Sequence, residues 1–296
     1  MILDIRQSNK WTEYLKMYGW REARLKNGAV VRFKPTFAGL TAKLQRPKSL
    51  MNPDLEELDE MCKEMRVIIL KFEPGLDQDL KLIKNHNFIK VGTPNLATKT
   101  IFIDLRKDQS SLWSDLSSNA RNLVRRAKIE GVKITEEKNL VSGLGGFYKI
   151  LSRTGRKKKF YVQSFEELKR KCEVFNEDSH LMSAYNSEGD LCASQLYLGF
   201  NNNIWGFHAG ISEKGEKNRS GYKLLWESYL LFKQKGYEII DLEGIEDDRY
   251  PTFTREWRNF SNYKKKFGGE IVTFPETYTK FFSIPFKLLA KAGLSI

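Results

Sequence analysis

Between Gly236 and Gly269 the chain reads GYEIIDLEGIEDDRYPTFTREWRNFSNYKKKFGG: an apolar strand, an acidic loop, and a cationic aromatic run closed by two glycines. The strand is Ile239-Ile240-Asp241-Leu242, set off by Gly236 and Gly244. Such a run reads as an interior strand of a mixed or parallel sheet, which puts Asp241 and Glu243 where its C-terminal end opens into a crevice. Carboxylates there either bind an incoming ammonium and hold it as it loses its proton, or cap the loop and pair with neighbouring Arg and Lys; the residue types allow both. Lys264 heads a Lys264-Lys265-Lys266 run and, taken alone, reads as one solvated charge among three. Fixed in a crevice without water, the same ammonium would stabilise a tetrahedral oxyanion. No Ser-His-Asp or Cys-His grouping stands out among His86, His180 and His208, so no side-chain nucleophile is expected.

Two further stretches carry charge in a usable pattern. A helix is expected after Ser117 or Ser118, ending near Gly131. Ala120, Leu123, Val124 and Ala127 form its buried stripe, while Arg121, Arg125 and Lys128 form a second stripe beside it. That stripe is a cationic rail for phosphates or RNA backbone, or else a solvated face. A cation in the first turn opposes the helix dipole by roughly 0.3–1 kcal/mol, so Arg121 calls for an anionic partner. The run Glu216 to Lys223 precedes another helix where an acyl-coenzyme A enzyme would cradle pyrophosphate, but it holds one glycine, Gly221, and Lys223 fills the place of a small residue. Arg219 is left there as an anion ligand.

The aromatic-Lys-x-x-Phe-Gly-Gly run (Tyr263, Lys264, Phe267, Gly268, Gly269) after the IIDLEG strand resembles the Fem-type (FemABX) peptidyltransferase family. Further blocks follow in the same order as in that family: Gln7-Ser8 with Trp11, then Gly19-Trp20; Gln45-Arg46-Pro47; Lys71-Phe72-Glu73-Pro74; and the stretch from Ile103 through Leu116 to Val132. Between Phe147 and Phe165 the chain departs from the family, with Arg153 where members carry an acid and no clear match to the arginine used on the nucleotide-sugar substrate. The long coiled-coil arm of some members is missing too, since no stretch sustains several apolar heptads.

The resemblance implies an aminoacyltransferase that moves an amino acid from aminoacyl-tRNA to an amino group of a peptidoglycan precursor stem peptide. The functional lysine of the family falls on Lys264, with Asp241, Glu243 and Glu73 as candidates for holding the amine. Arg46 matches the precursor-binding motif, and Lys34 and Lys43 lie near the strand and loop that bind the uridylate sugar. Aminoacyl-tRNA would be the co-substrate, with no further cofactor and no metal, and the precursor would be UDP-linked or lipid-linked. Tyr197, Trp205 and His208 either line the cleft or fill the core.

Fifty Lys plus Arg against 37 Asp plus Glu give a net charge of +13, which suits polyanionic ligands or anionic lipid and equally suits a lysine-rich solvated surface. With 296 residues and 41% hydrophobic content, the chain is globular and long enough for about two domains. Cys62, Cys172 and Cys192 have neither metal-ligand nor disulfide spacing, which fits a reducing cytoplasm. No window approaches the roughly 20 apolar residues of a transmembrane helix, and the tail Tyr278 to Leu294 either lies on the inner membrane surface or docks on the first domain.

A turn at Lys26-Asn27-Gly28 and another at Ser187-Glu188-Gly189-Asp190 each join two short strands, and each hairpin is followed by a helix and an apolar strand. This repeated order matches the GNAT acyltransferase fold, which the Fem family carries twice. The expected fold class is therefore α/β with mixed sheets, in two tandem GNAT-like domains with a cleft between them: residues 1–105, completed by the tail 273–296, and residues 106–272. Two other readings stay open. One is a GNAT-like N-acyltransferase using acyl-coenzyme A or another carrier; the other is a non-catalytic basic module that binds RNA or membrane.

Overall fold

The computed structural model describes residues 2–90, 93–158 and 161–291. The chain forms two compact units, the first made of Met1–Thr98 with Thr273–Ile296 and the second of Lys99–Val272. The far end of the C-terminal tail, including Leu294, lies outside the described residues.

The first unit opens with helix α1 (Asn9–Lys16), strands β1 (Arg21–Arg24), β2 (Val30–Thr36) and β3 (Gly39–Gln45), helix α2 (Asn52–Glu64), strand β4 (Val67–Glu73) and helix α3 (Leu80–Asn85). Ser8 starts α1 by accepting the N–H of Trp11 at 3.0 Å, and Asp54 closes the start of α2 by accepting the N–H of Met51 at 2.8 Å. Strands β1, β2 and β3 form an antiparallel meander; α2 then carries the chain across to β4, which lies parallel to β3. Period-two alternation sends Val31, Phe33, Ala42, Leu44, Leu70 and Phe72 to one face, where Leu55, Leu58 and Cys62 of α2 and Ile83 of α3 cover them.

In the second unit the order is β5 (Lys99–Asp104), α4 (Gln109–Asp115), α5 (Ser118–Ile129), β6 (Lys133–Glu136), α6 (Leu140–Lys158), α7 (Phe165–Phe175), β7 (Ser179–Tyr185), β8 (Leu191–Phe200) and β9 (Asn203–Ile211). It continues with α8 (Glu213–Lys217), α9 (Ser220–Gln234), β10 (Ile239–Asp241), α10 (Pro251–Thr254), α11 (Arg258–Lys265) and β11 (Glu270–Thr273). Strands β6 to β9 are antiparallel, and α9 is the crossover that sets β10 parallel to β9. The chain then returns to the first unit as β12 (Tyr278–Phe281) and α12 (Ile284–Lys291).

The sheets run β1-β2-β3-β4-β12 and β11-β5-β10-β9-β8-β7-β6. Antiparallel meander, helix, parallel strand is thus built twice. Each parallel strand gains an antiparallel neighbour from a distant part of the sequence: β12 beside β4, and β5 beside β10. This corrects the expected boundary at residue 105. Ile103 sits opposite Ile240, so the strand Lys99–Asp104 belongs to the second sheet.

The second core gathers Ile101, Ile103, Leu224, Leu225, Phe232, Ile240 and Phe267 with the α5 stripe Ala120, Val124 and Ala127; Leu123 of the expected stripe is only half-buried. Cys62, Cys172 and Cys192 are buried free thiols, and burial pushes Cys62 up to about 12 and Cys172 up to about 11. No described helix is long and apolar enough to cross a membrane.

Candidate active site

The aromatic residues of the Tyr263–Gly269 run anchor α11 against α9. Phe267 is buried and meets Tyr222, Tyr229 and Tyr263 at ring separations of 5.7, 6.2 and 5.2 Å, while the Tyr263 hydroxyl donates to the carbonyl of Gly221 at 2.7 Å. The two glycines then let the chain enter β11. Both have left-handed backbones (φ 76° and 85°), and a Cβ would meet the carbonyl oxygen of Asp115 at 2.7 Å from Gly268 and that of Phe102 at 2.6 Å from Gly269.

With α11 fixed in this way, Lys264 reaches the loop after β10. Its Nζ donates to the carbonyl oxygens of Glu243 and Gly244, at 2.8 Å each, and lies 4.9 Å from the centre of the Phe260 ring. An ammonium has three donors, and the third has no acceptor among the described residues. Burial lowers the Lys264 ammonium to about 8, against the opposing pull of the Glu243 and Asp241 carboxylates.

The loop presents those carbonyls because its backbone is turned by Asp241. This residue, 3% exposed, accepts the N–H of Glu243 at 2.7 Å and the hydroxyl of Thr100 on the same carboxylate oxygen. Glu243 takes a left-handed conformation, φ 55°, unusual for a residue with a Cβ. Further along, the N–H of Glu246 donates to Ser261 of α11 at 2.7 Å, and the buried Asp247 pairs with Arg249 at 2.7 Å. Loop and helix are therefore tied at two points, by Lys264 and by Ser261.

In the first unit, Arg46 and Glu73 hold the protein's own chain. Arg46, 5% exposed, donates to Asp4 at 3.0 Å and to the carbonyl of Ala97, with its guanidinium 3.5 Å from the centre of the Phe274 ring. Burial would raise the Asp4 carboxyl, but the guanidinium groups of Arg6 and Arg46 more than offset this and keep it below its ordinary range. Glu73 accepts the N–H groups of Asn95 and Leu96 at 2.7 Å and the amide of Gln45 at 2.8 Å. Lys34 and Lys43 are half-buried and gather at Trp20, with their ammonium groups 5.6 and 3.9 Å from its ring centre.

Two of the predicted anion ligands in the second unit close helix ends. Arg121 finds its negative partner inside the fold: its guanidinium donates to the carbonyls of Ser114 (3.0 Å) and Leu116, which follow from the C-terminus of α4. Arg219 has φ 62° and turns back onto the carbonyls of Glu216 and Lys217 at the end of α8. Lys223 donates to the carbonyl of Val132 at 2.5 Å. Arg125 lies over Trp113, 5.3 Å from the ring centre. Arg153 and Lys157, in the stretch that departs from the family pattern, pair with Glu213 and Glu216 of α8.

His208 faces Gln163 at 3.2 Å and the ammonium of Lys171 at 3.5 Å; burial, with Lys171 adding, keeps its imidazole neutral. Tyr197 and Trp205 are core residues. Thr100, Phe260, Ser261 and Lys171 have no motif signature, and their contributions become visible only when distant segments come together.

Two units with mixed sheets, each a meander, a crossover helix and a parallel strand, define a tandem GNAT-like fold. In fold the chain is similar to the crystal structure of FemX, with a TM-score of 0.83 at 15% identity over 97% of this chain and 94% of that one. It is also similar to L-PGS from Bacillus licheniformis (TM-score 0.61, 13% identity, 99% and 98% covered). A third similar structure is the C-terminal domain of a protein assigned as a lysylphosphatidylglycerol synthetase from Agrobacterium fabrum (TM-score 0.65, 12% identity, 98% and 93% covered). No protein-family model matches the sequence, and no curated protein sequence matches it.

Proposed function

We propose that the protein is an aminoacyltransferase that moves an amino acid from aminoacyl-tRNA to an amino group of a peptidoglycan precursor, in the cytoplasm and within reach of the inner membrane surface. The observation that carries this reading is the Lys264 ammonium, pinned by two backbone carbonyls with one N–H left over. In aminolysis of the ester, the amine nitrogen bonds to the carbonyl carbon, the C–O bond to the ribose breaks, and the proton shed by the amine goes to the leaving ribose oxygen. The oxyanion formed on the way would take the third N–H of Lys264. Asp241 sets the loop, and the Glu243 carboxylate receives the substrate ammonium and holds it as it gives one proton to water and becomes the attacking amine. Lys34 and Lys43 supply cations to the precursor, with Arg46 and Glu73 holding the loops around them. Arg125, over Trp113, lines the path of the tRNA, while Arg121 and Arg219 hold the ends of α4 and α8, and His208 offers a neutral imidazole to the acceptor.

The acyl-coenzyme A alternative is less well supported, because the turn before α9 is taken up by Arg219 folding onto Glu216 and Lys217 and by Tyr263 bonding to Gly221. The test is transfer itself. Purified protein with charged tRNA and UDP-linked or lipid-linked precursor should yield an amide-linked product. No product across a full set of charged tRNAs removes the reading, and thermal stabilisation by coenzyme A alone would favour the alternative.

A further inference from the structure

One end of the first sheet carries exposed apolar side chains from two distant parts of the chain. Strands β2 and β3 close where Thr36 stands opposite Gly39, with Phe37 and Ala38 at the tip. Strand β4 starts beside them, Val67 opposite Leu40, and β12 finishes there, Phe281 opposite Ile69. The N–H groups of Phe282 and Ser283 then donate to the carbonyl of Ile68 at 3.0 and 3.4 Å, and α12 begins. Since β3 and β12 are two strand spacings apart, about 10 Å, the hairpin tip and the helix are neighbours.

Phe37 is fully exposed, and Ile284 and Leu288 are 74% and 62% exposed. These last two are four residues apart and share a face of α12, while Phe286, on the opposite face, is half-buried. Phe282, just before the helix, packs on the first core. The helix thus keeps apolar residues to spare after its other side is covered. A single exposed apolar residue is ordinary, but three gathered at one end of a sheet mark a surface that something else covers.

The same end is cationic. Lys63 and Arg66, where α2 passes into β4, and Lys287 of α12 are exposed, and none of them forms an ion pair among the described residues; Glu64 is the acid between the first two. Lys280 is already taken by Asp59. Both apolar elements lie in stretches of sequence without acids: none occurs from Ala23 to Pro53, and none from Thr277 to Ile296.

We infer that this end of the first sheet is a docking surface for an anionic lipid bilayer. Phe37, Ile284 and Leu288 enter the headgroup layer, and Lys63, Arg66 and Lys287 meet lipid phosphates around them. A fluid layer closes around separate protrusions such as a hairpin tip and a helix, whereas a stable protein partner needs roughly 800 Å² of fitted surface on each side. The docking surface goes beyond the aminoacyl transfer proposed above and stands without it.

Full-length protein is sedimented with mixed phosphatidylglycerol and phosphatidylcholine vesicles and with pure phosphatidylcholine vesicles. Binding to the anionic vesicles alone, weakened by added salt, is expected. The double variant Phe37→Gln with Leu288→Gln should bind at least about tenfold more weakly at an unchanged thermal midpoint, because neither residue is buried. Lys63→Ser and Lys287→Ser should each weaken binding about fivefold. Lys26→Ser removes an equal charge at the opposite end of the same sheet and should leave binding within about twofold. No binding to anionic vesicles, equal binding to both kinds, unchanged binding by the double variant, or an equal loss in Lys26→Ser overturns the inference. So does a concentration-dependent dimer that the double variant abolishes in the absence of lipid binding, which would give the face to a second copy of the chain. Lipid binding without aminoacyl transfer would retain the docking surface and remove the proposed function, and transfer to a UDP-linked precursor without lipid binding would do the reverse.

Discussion

Lys264 donates a 2.8 Å hydrogen bond to the backbone carbonyl of Glu243, a residue held in the left-handed conformation by its own N–H bond to Asp241. Carboxylate, strained backbone and ammonium thus form one chain of dependence. The position of the charge is set by backbone atoms, which do not vary with the side chain, and burial has already removed much of the water that would screen it. A cation arranged in this way needs little reorganisation when negative charge develops beside it.

The first prediction separates Lys264 from its neighbours in the run. Lys264→Met should lower aminoacyl transfer by about two to three orders of magnitude, the usual loss when one oxyanion donor is removed. Lys265→Ala, on an exposed residue, should leave the rate within about twofold of the parent and serves as the control. Single-turnover transfer from charged tRNA measures both, and equal loss in the two variants would reduce Lys264 to a surface charge.

Glu243→Gly tests backbone against carboxylate. At φ 55° glycine relieves roughly 1 kcal/mol of strain, so the thermal midpoint should hold or rise. If the carboxylate receives the substrate amine, KM for the precursor should rise all the same. A variant as stable and as active as the parent would leave Glu243 with a purely conformational part, while Glu243→Val should lose stability because a β-branched side chain resists this backbone.

The lowered ammonium of Lys264 gives rate and stability opposite pH trends. If the ammonium binds the oxyanion as proposed, transfer should decline as pH rises through about 8. The unfolded chain keeps that proton up to the ordinary lysine value of 10.5, so between about 8 and 10.5 it binds more protons than the folded chain, and stability from this group rises with pH. Urea midpoints across this range should climb less steeply in Lys264→Met than in the parent. A descending rate limb that stays near 8 in Lys264→Arg would assign it to another group.

Arg121 offers a test of stability against binding. Arg121→Ala exposes the carbonyls of Ser114 and Leu116 without their donor and should cost about 1 kcal/mol. The salt dependence of tRNA binding should be unchanged, because that guanidinium is already engaged within the fold. A salt slope reduced by about one in this variant would instead make Arg121 a phosphate contact.

The sequence made β10, α5 and the Phe-Gly-Gly closure legible because their signals are local: an apolar run between glycines, a serine cap before a period of 3.6, a glycine pair required by close approach. Both hairpins were legible for the same reason. The partnership of β5 with β10 was not, since Ile103 and Ile240 are brought together by long-range pairing that carries no periodicity of its own. The partners of Arg46, Arg121 and Arg219 were equally hidden. Each of these arginines bonds to main-chain carbonyls, which every residue possesses, so nothing in residue type distinguishes an arginine that caps a helix from one that awaits a phosphate. That Arg32 faces Lys43 and Lys43 faces Lys71 across three strands depends on register, which a sequence does not print.

Arg46 is where the motif and the structure pull furthest apart, and its variant decides between them. Its guanidinium is enclosed by Asp4, the Ala97 carbonyl and the Phe274 ring. Arg46→Met should therefore destabilise by about 3–5 kcal/mol, the range for breaking a buried ion pair from one side, tempered by Arg6, which also lies 3.4 Å from Asp4. Adding Asp4→Asn removes the stranded carboxylate and should recover part of the loss, giving a coupling term in a urea double-mutant cycle. A single variant that keeps its urea midpoint yet loses affinity for a uridylate-sugar peptide would return Arg46 to the substrate, and would require the Asp4 and Ala97 contacts to open when the precursor binds.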